Sequence, residues 1–195
     1  MINKVARPRI IIIHGWEGSP REGWFPWLAR ELTARGFSVV VPAMPNSAHP
    51  KIAEWVPHLA QTVGTADEHT FLVGHSLGCI TILRYLEQLP EEQTIGGAVL
   101  VAGFGERLSY DELQNFFSQP VNWPRVRTTC PKFVALFSDN DQYVPISNAD
   151  LFRRELSAEV AVLQNRGHFS GEDDSCTDLP EALEAVLKLI DTTQI

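Results

Sequence analysis

No hydrophobic run in this chain approaches the roughly eighteen residues that a membrane-spanning helix needs. The isoleucine run Ile10–Ile13 is also far too short for the core of a secretory signal. The N-terminal residues show no secretory pattern, so the expected address is the cytoplasm, with no membrane association. Cysteine is scarce: Cys79, Cys130 and Cys176 are odd in number, far apart, and never at Cys-x-x-Cys spacing. That argues against a disulfide framework or a cysteine zinc site and leaves reduced thiols. Cys79 reads as a small buried apolar residue. Basic residues number 16 against 24 acidic ones, a net charge of −8, and they form no run. A phosphate-tracking surface, and with it a nucleic-acid partner, is therefore not expected. No cluster of His, Cys, Asp and Glu has metal-ligand spacing, so neither a metal nor another cofactor is expected, and Glu172-Asp173-Asp174 reads as a solvated acidic loop. Nothing in the residues specifies an oligomeric state or a protein partner.

What is present is a chain of 195 residues, 44% of them hydrophobic, enough for one sizeable core. No repeat, low-complexity tract or Gly/Ser linker interrupts it, so residues 1–195 are read as one domain. Short aliphatic runs predict strands at Arg9–Ile13, Phe37–Val41, Thr70–Val73, Gly97–Ala102, Phe133–Phe137 and Glu159–Gln164. Most lack period-two alternation, as strands of a parallel sheet covered on both faces do. Between them, helical patterns cover Trp24–Arg35, Ile52–Val63, Leu77–Leu89, Ser147–Leu156 and Pro180–Ile190. Pro26 suits a first helical turn and Gly36 a helix end. Ser109 with Glu112 reads as a capping box opening one more short helix that ends near Phe117. Alternating strand and helix predicts an α/β doubly wound fold, in which ligands bind beyond the carboxyl ends of the strands.

The segments at those ends carry the reactive side chains. The third strand runs into FLVGHSLGCI (71–80), where a serine stands between two glycines. A loop that happens to hold a serine is the plain reading. A Gly-x-Ser-x-Gly turn between strand and helix is the sharper one, a nucleophile elbow so tight that Gly74 and Gly78 are needed to avoid collision. Ser76 is then a nucleophile at a helix N-terminus, where free N–H groups favour a developing anion. Such a hydroxyl needs a base, and the base an orienting carboxylate, in the chain order Ser, acid, His. His168 is the one histidine after Ser76. For the acid, Asp141 and Asp139 both follow the fifth strand and could point the same way along an extended segment. Asp141 is favoured, and the other would cap the turn. After the first strand, His14-Gly15 reads as the loop whose Trp16 N–H joins that of Leu77 in an oxyanion hole, with His14 structural. His75 packs beside the elbow with no proton-transfer partner, and His49, His58 and His69 are surface or core residues. Trp16, Phe104, Tyr143 and Phe169 are candidates for the walls of an apolar acyl pocket.

With HGWEGSPREGWFPWL (14–28), MPN (44–46), GHSLGC (74–79), DQYVP (141–145) and GHF (167–169), the sequence resembles the small serine hydrolases grouped with retinoblastoma-binding protein 9 and the bacterial YdeN-like proteins. The resemblance runs over nearly the whole chain. It implies a compact α/β-hydrolase fold without a large lid, six parallel strands in the order 2-1-3-4-5-6 and helices on both faces. It places nucleophile, acid and base on Ser76, Asp141 and His168, since the family's acid directly precedes an x-x-Val-Pro stretch. The activity it implies is cleavage of an ester, thioester or amide of a small-molecule substrate through an acyl-enzyme, carboxylesterase-like with amidase or peptidase possible. Two other readings use the same residues. One is a catalytically idle hydrolase fold serving as a protein-binding module, which has no physical need for a complete Ser/Asp/His set. The other is a cofactor-free haloperoxidase or an acyltransferase, set apart by its acyl acceptor.

Overall fold

A computed structural model describes residues 7–193. The N-terminal segment read for a secretory pattern lies partly outside the described residues. The elements follow one another as β1 (Arg9–Ile13), α1 (Phe25–Ala34), β2 (Ser38–Val40), α2 (Ile52–Val63), β3 (Thr70–His75), α3 (Leu77–Gln88), β4 (Gly97–Val101), a 3-10 helix (Asp111–Phe117), α4 (Trp123–Thr129), β5 (Phe133–Ser138), α5 (Ser147–Leu156), β6 (Glu159–Leu163) and α6 (Pro180–Asp191). All six strands are parallel, in the order β2-β1-β3-β4-β5-β6. No described helix is long and apolar enough to cross a membrane.

The sheet divides the core in two. On one face Ile11, Ile13, Leu72, Leu100, Ala135 and Phe137 pack under α2, α3, α4 and α5. On the other Ile10, Ile12, Val73, Val99, Val101 and Leu136 pack under α1 and α6. Alternate residues of the same strands feed both clusters, so β3, β4 and β5 are buried along their whole length. That two-sided burial is why the strands read as unbroken apolar runs. The edge strands β2 and β6 are more exposed.

Local chemistry explains some element ends. Pro26 lies in the first turn of α1, and past its last residue Gly36 adopts φ +88° and donates its N–H to Thr33 O. A glycine is needed there because the left-handed region is costly for other residues. The segment between β4 and β5 departs from expectation. The capping box does not form: the short helix is 3-10, begins after Tyr110, and has no side-chain cap. α4 follows it, capped by Asn122 Oδ1 accepting the Arg125 N–H at 3.1 Å and carrying a proline in its first turn. Buried Arg84 of α3 fastens this stretch, donating to the carbonyls of Phe116, Gln119 and Pro120 while pairing with Glu87 at 2.9 Å. Two short helices are all the chain places there, and among the described residues no large lid covers the strand ends.

Candidate active site

In strand order β2-β1-β3, the connection from β1 turns one way and that from β3 the other, which opens a crevice at their carboxyl ends. Ile13 pairs with Gly74, so the His14-Gly15 loop and the His75-Ser76 turn leave the sheet side by side. Ser76 has φ +52° and ψ −116°, a region costly for a residue with a Cβ. It is the one residue of 71–80 that is not buried. The glycines two residues either side meet different constraints. A Cβ on Gly74 would lie 2.8 Å from Cys79 N and 2.9 Å from Gly78 C, within the elbow itself. A Cβ on Gly78 would lie 2.3 Å from Ile13 O, so this glycine admits the neighbouring strand rather than its counterpart in the motif.

Among the described residues, neither the Trp16 N–H nor the Leu77 N–H meets an acceptor, whereas the flanking Glu17 N–H goes to Ser47 O and Cys79 N–H to Ser76 O, both at 2.9 Å. His14 fixes the loop that carries Trp16. Its ring is 1% exposed, with Nδ1 2.8 Å from Gly15 O and Nε2 accepting the Met44 N–H at 3.0 Å. Those partners set a neutral imidazole with the proton on Nδ1, and burial lowers its pKa. The MPN segment is thereby tied to the loop that carries Trp16.

The two aspartates part company. Asp141 Oδ2 stands 2.8 Å from His168 Nδ1, with the two side chains 3% and 10% exposed. Its Oδ1 accepts the N–H groups of Tyr143 at 2.8 Å and Val144 at 3.0 Å, so Asp141 also caps the turn. Asp139 instead accepts the Asn165 N–H at 2.8 Å. Ser138 Oγ takes the Arg166 N–H at 3.0 Å, and Asn140 Oδ1 takes the Gly167 N–H at 2.8 Å. Four consecutive side chains, from the last residue of β5 to Asp141, thus hold the four positions 165–168 of the loop bearing His168.

Two residues have larger parts than the sequence reading gave them. Asp174 is not merely part of a solvated loop. Its Oδ2 accepts the N–H of His168 at 2.8 Å and of Ser170 at 2.9 Å, and its approach leaves no room for a Cβ on Gly167, whose φ is +54°. His75 does more than pack. Its Nε2 lies 2.7 Å from the His168 carbonyl oxygen, to which it donates, and the two imidazole centroids are 4.9 Å apart. Burial first, then the nearby His168 charge, pushes the His75 pKa down to about 3, so the ring is neutral. Burial also pushes up the thiols of Cys79, Cys130 and Cys176, which keeps them protonated.

Ser76 and His168 border two cavities. One, of about 220 Å³, has an apolar wall of Trp16, Phe104, Leu108, Tyr110, Leu113, Tyr143 and Val144 and is also lined by Glu17, Ser170 and Asp173. The other, of about 340 Å³, is walled by Gly15, Trp16, Glu17, Glu22, Trp24, Phe25, His75, Phe169, Glu172 and Asp173. Three of the four aromatic candidates therefore share the apolar cavity, while Phe169 faces the other one. His49, His58 and His69 border neither.

Comparison with known proteins agrees with this architecture. The family model described as serine hydrolase matches residues 10–188. YdeN of Bacillus subtilis (strain 168) is 35% identical over 173 residues, 88% of this chain and 90% of its own. The serine hydrolase RBBP9 of Rattus norvegicus is 26% identical over 154 residues, 77% of this chain and 80% of its own. The crystal structure of the B. subtilis ydeN gene product superposes with a TM-score of 0.90 at 32% identity, covering 94% of this chain and 99% of that one. The fold is a compact α/β hydrolase, and the chain belongs to the serine hydrolase family.

Proposed function

We propose that this hydrolase cleaves an ester, thioester or amide of a small substrate through an acyl-enzyme, with Ser76 as nucleophile, His168 as base and Asp141 as orienting acid. The observation that carries the reading is the 2.8 Å contact of a buried Asp141 carboxylate with His168 Nδ1, on the wall that Ser76 shares. A carboxylate there holds the proton on Nδ1 and leaves the Nε2 lone pair free to accept another.

As Ser76 Oγ attacks the substrate carbonyl, its proton passes to His168 Nε2, and Asp141 stabilises the imidazolium. The carbonyl oxygen becomes an oxyanion that takes hydrogen bonds from the N–H groups of Trp16 and Leu77, assisted by the N-terminus of α3. Collapse breaks the bond to the alcohol, thiol or amine, which leaves with the proton from His168. A water then attacks the acyl-serine, gives its proton to His168, and releases the acid as Ser76 Oγ is reprotonated. A neutral His75 matters in this scheme, because a second cation 4.9 Å from the imidazolium would oppose its formation. Carboxylesterase-like specificity fits the apolar cavity, whose volume of about 220 Å³ suits a short acyl chain.

The test is labelling with a fluorophosphonate probe, followed by an ester panel of graded acyl length. Wild type should be labelled once, at Ser76, and Ser76→Ala should be folded, unlabelled and slower by roughly five to six orders of magnitude. Persistent labelling of Ser76→Ala refutes the assignment, and an unlabelled wild type favours an idle fold.

A further inference from the structure

The two cavities that meet at Ser76 and His168 differ in charge as well as polarity. Glu22 and Glu172 border the larger one alone and Glu17 and Asp173 border both, so the larger one has four carboxylates against two, and neither is lined by lysine or arginine. Among the described residues none of the four stands in an ion pair. Glu22 already accepts the Ser19 N–H at 2.7 Å. Acidic side chains at a rim are common on a protein of this net charge, and alone they would say nothing about a ligand.

The independent observation is His75. Its ring borders this cavity and is 8% exposed, and its Nε2–H is spent on the His168 carbonyl at 2.7 Å. Nδ1 is left as an acceptor with no partner among the described residues. It faces the Gly15 stretch of the cavity wall, lying 3.3 Å from where a Cβ on Gly15 would stand. Because the ring stays neutral, this nitrogen cannot turn into a donor at ordinary pH. Trp24 Nε1 is sealed below the surface and offers the cavity no donor. Carboxylates and a fixed imidazole lone pair together ask for a ligand with N–H or O–H groups and positive charge. Trp16, half-buried at the junction of both cavities, adds an aromatic face of the kind cations settle against.

We infer that the preferred substrate couples a small apolar acyl group, seated against Phe104, Leu113 and Val144, to a cationic, hydrogen-bond-donating alcohol or amine that occupies the acidic cavity as the leaving group. This rests on the serine-hydrolase reading above. The leaving group is assigned to the acidic side because the first product must be exchanged there for water while the acyl chain stays bound. An apolar wall holds the acyl chain, and a polar cavity lets water in. A partly screened carboxylate–ammonium pair changes binding only a few-fold, so two or three together give a preference of roughly tenfold.

The experiment compares two esters of one short-chain acid, from acetate to hexanoate: the 2-(dimethylammonio)ethyl ester, whose cation carries an N–H, and its neutral isostere, the 3-methylbutyl ester. The cationic ester should show a kcat/KM about tenfold higher at low salt, shrinking several-fold at high ionic strength. In Glu22→Gln/Glu172→Gln, which neutralises the two carboxylates that border the larger cavity alone, the ratio should fall toward unity. If neither ester turns over, protection of Ser76 from fluorophosphonate decides: 2-(dimethylammonio)ethanol should protect at lower concentration than 3-methylbutanol. Equal rates or equal protection overturn the inference while labelling of Ser76 leaves the hydrolase reading standing. The inference also falls if charge is preferred on the acyl side instead. Failure of Ser76 to label at all removes the hydrolase reading and this inference with it.

Discussion

Acidification should destabilise this protein through His75, and the size of the effect can be worked out. The ring is 8% exposed, and burial followed by the charge of His168 lowers its pKa from 6.5 to about 3. The folded protein therefore binds fewer protons at this position than the unfolded chain at any pH between those two values. Linkage makes the sign definite: stability contributed by the site is intact above 6.5 and is lost as pH falls toward 3. Between pH 7.5 and 5.0 the folded ring stays neutral, so the unfolded titration alone sets the loss, at about 2 kcal/mol. His75→Gln removes the titration while its amide N–H can still reach the His168 carbonyl. Urea unfolding, followed by fluorescence of the buried Trp24 and Trp55, would be run on both proteins at both pH values. Contributions from His14 and the carboxylates are common to the pair and cancel in the difference. The variant should gain about 2 kcal/mol relative to wild type on going to pH 5.0. Parallel pH slopes would refute the buried neutral imidazole, and a steeper slope for the variant would reverse its sign.

Four further substitutions test the loop that carries His168 and the segment over α3. Asp141→Asn can keep Oδ1 on the Tyr143 and Val144 N–H groups but turns an amide N–H toward His168 Nδ1, so turnover measured on the pH plateau should drop roughly 10⁴-fold. Asp139→Asn still accepts the Asn165 N–H and should change turnover by less than about tenfold. Asp174→Ala leaves the N–H groups of His168 and Ser170 unpaired; it should cost about 2 kcal/mol in urea unfolding and lower kcat well before KM changes. Arg84→Met strands Glu87 and three carbonyls, and should destabilise by about 3 kcal/mol in the same assay.

What could be read in advance was whatever a short stretch of chain decides by itself. Two-sided burial wrote β3, β4 and β5 as apolar runs, and within the elbow itself Gly74 leaves no room for a Cβ. α4 escaped notice because its seven residues, WPRVRTT, bury only Val126 and Thr129, too few to make a helical period. Asn122 followed at once by Trp123-Pro124 was the signal available, a capping residue before a first-turn proline. The reverse error occurred at Ser109, where a capping pattern was present but the chain entered a 3-10 turn at Tyr110 and left the hydroxyl unused.

The acid of the proposed triad shows where local reading stops. Asp139 and Asp141 share a period-two relation that would point both side chains one way if the chain stayed extended. The strand ends at Ser138 and the chain turns, so Asp139 reaches across to Asn165 and Asp141 back to His168. Nothing in the spacing of two aspartates reveals that turn, because it depends on what lies 26 and 27 residues away. The same holds for Asp174, one of three adjacent acids, told apart from Glu172 and Asp173 by two backbone N–H groups that only the folded loop brings within reach. A local motif can announce a nucleophile, since the elbow is strained within five residues. The groups that orient the base belong to long-range loop closure, so their identity has to be read from which backbone donors each carboxylate satisfies.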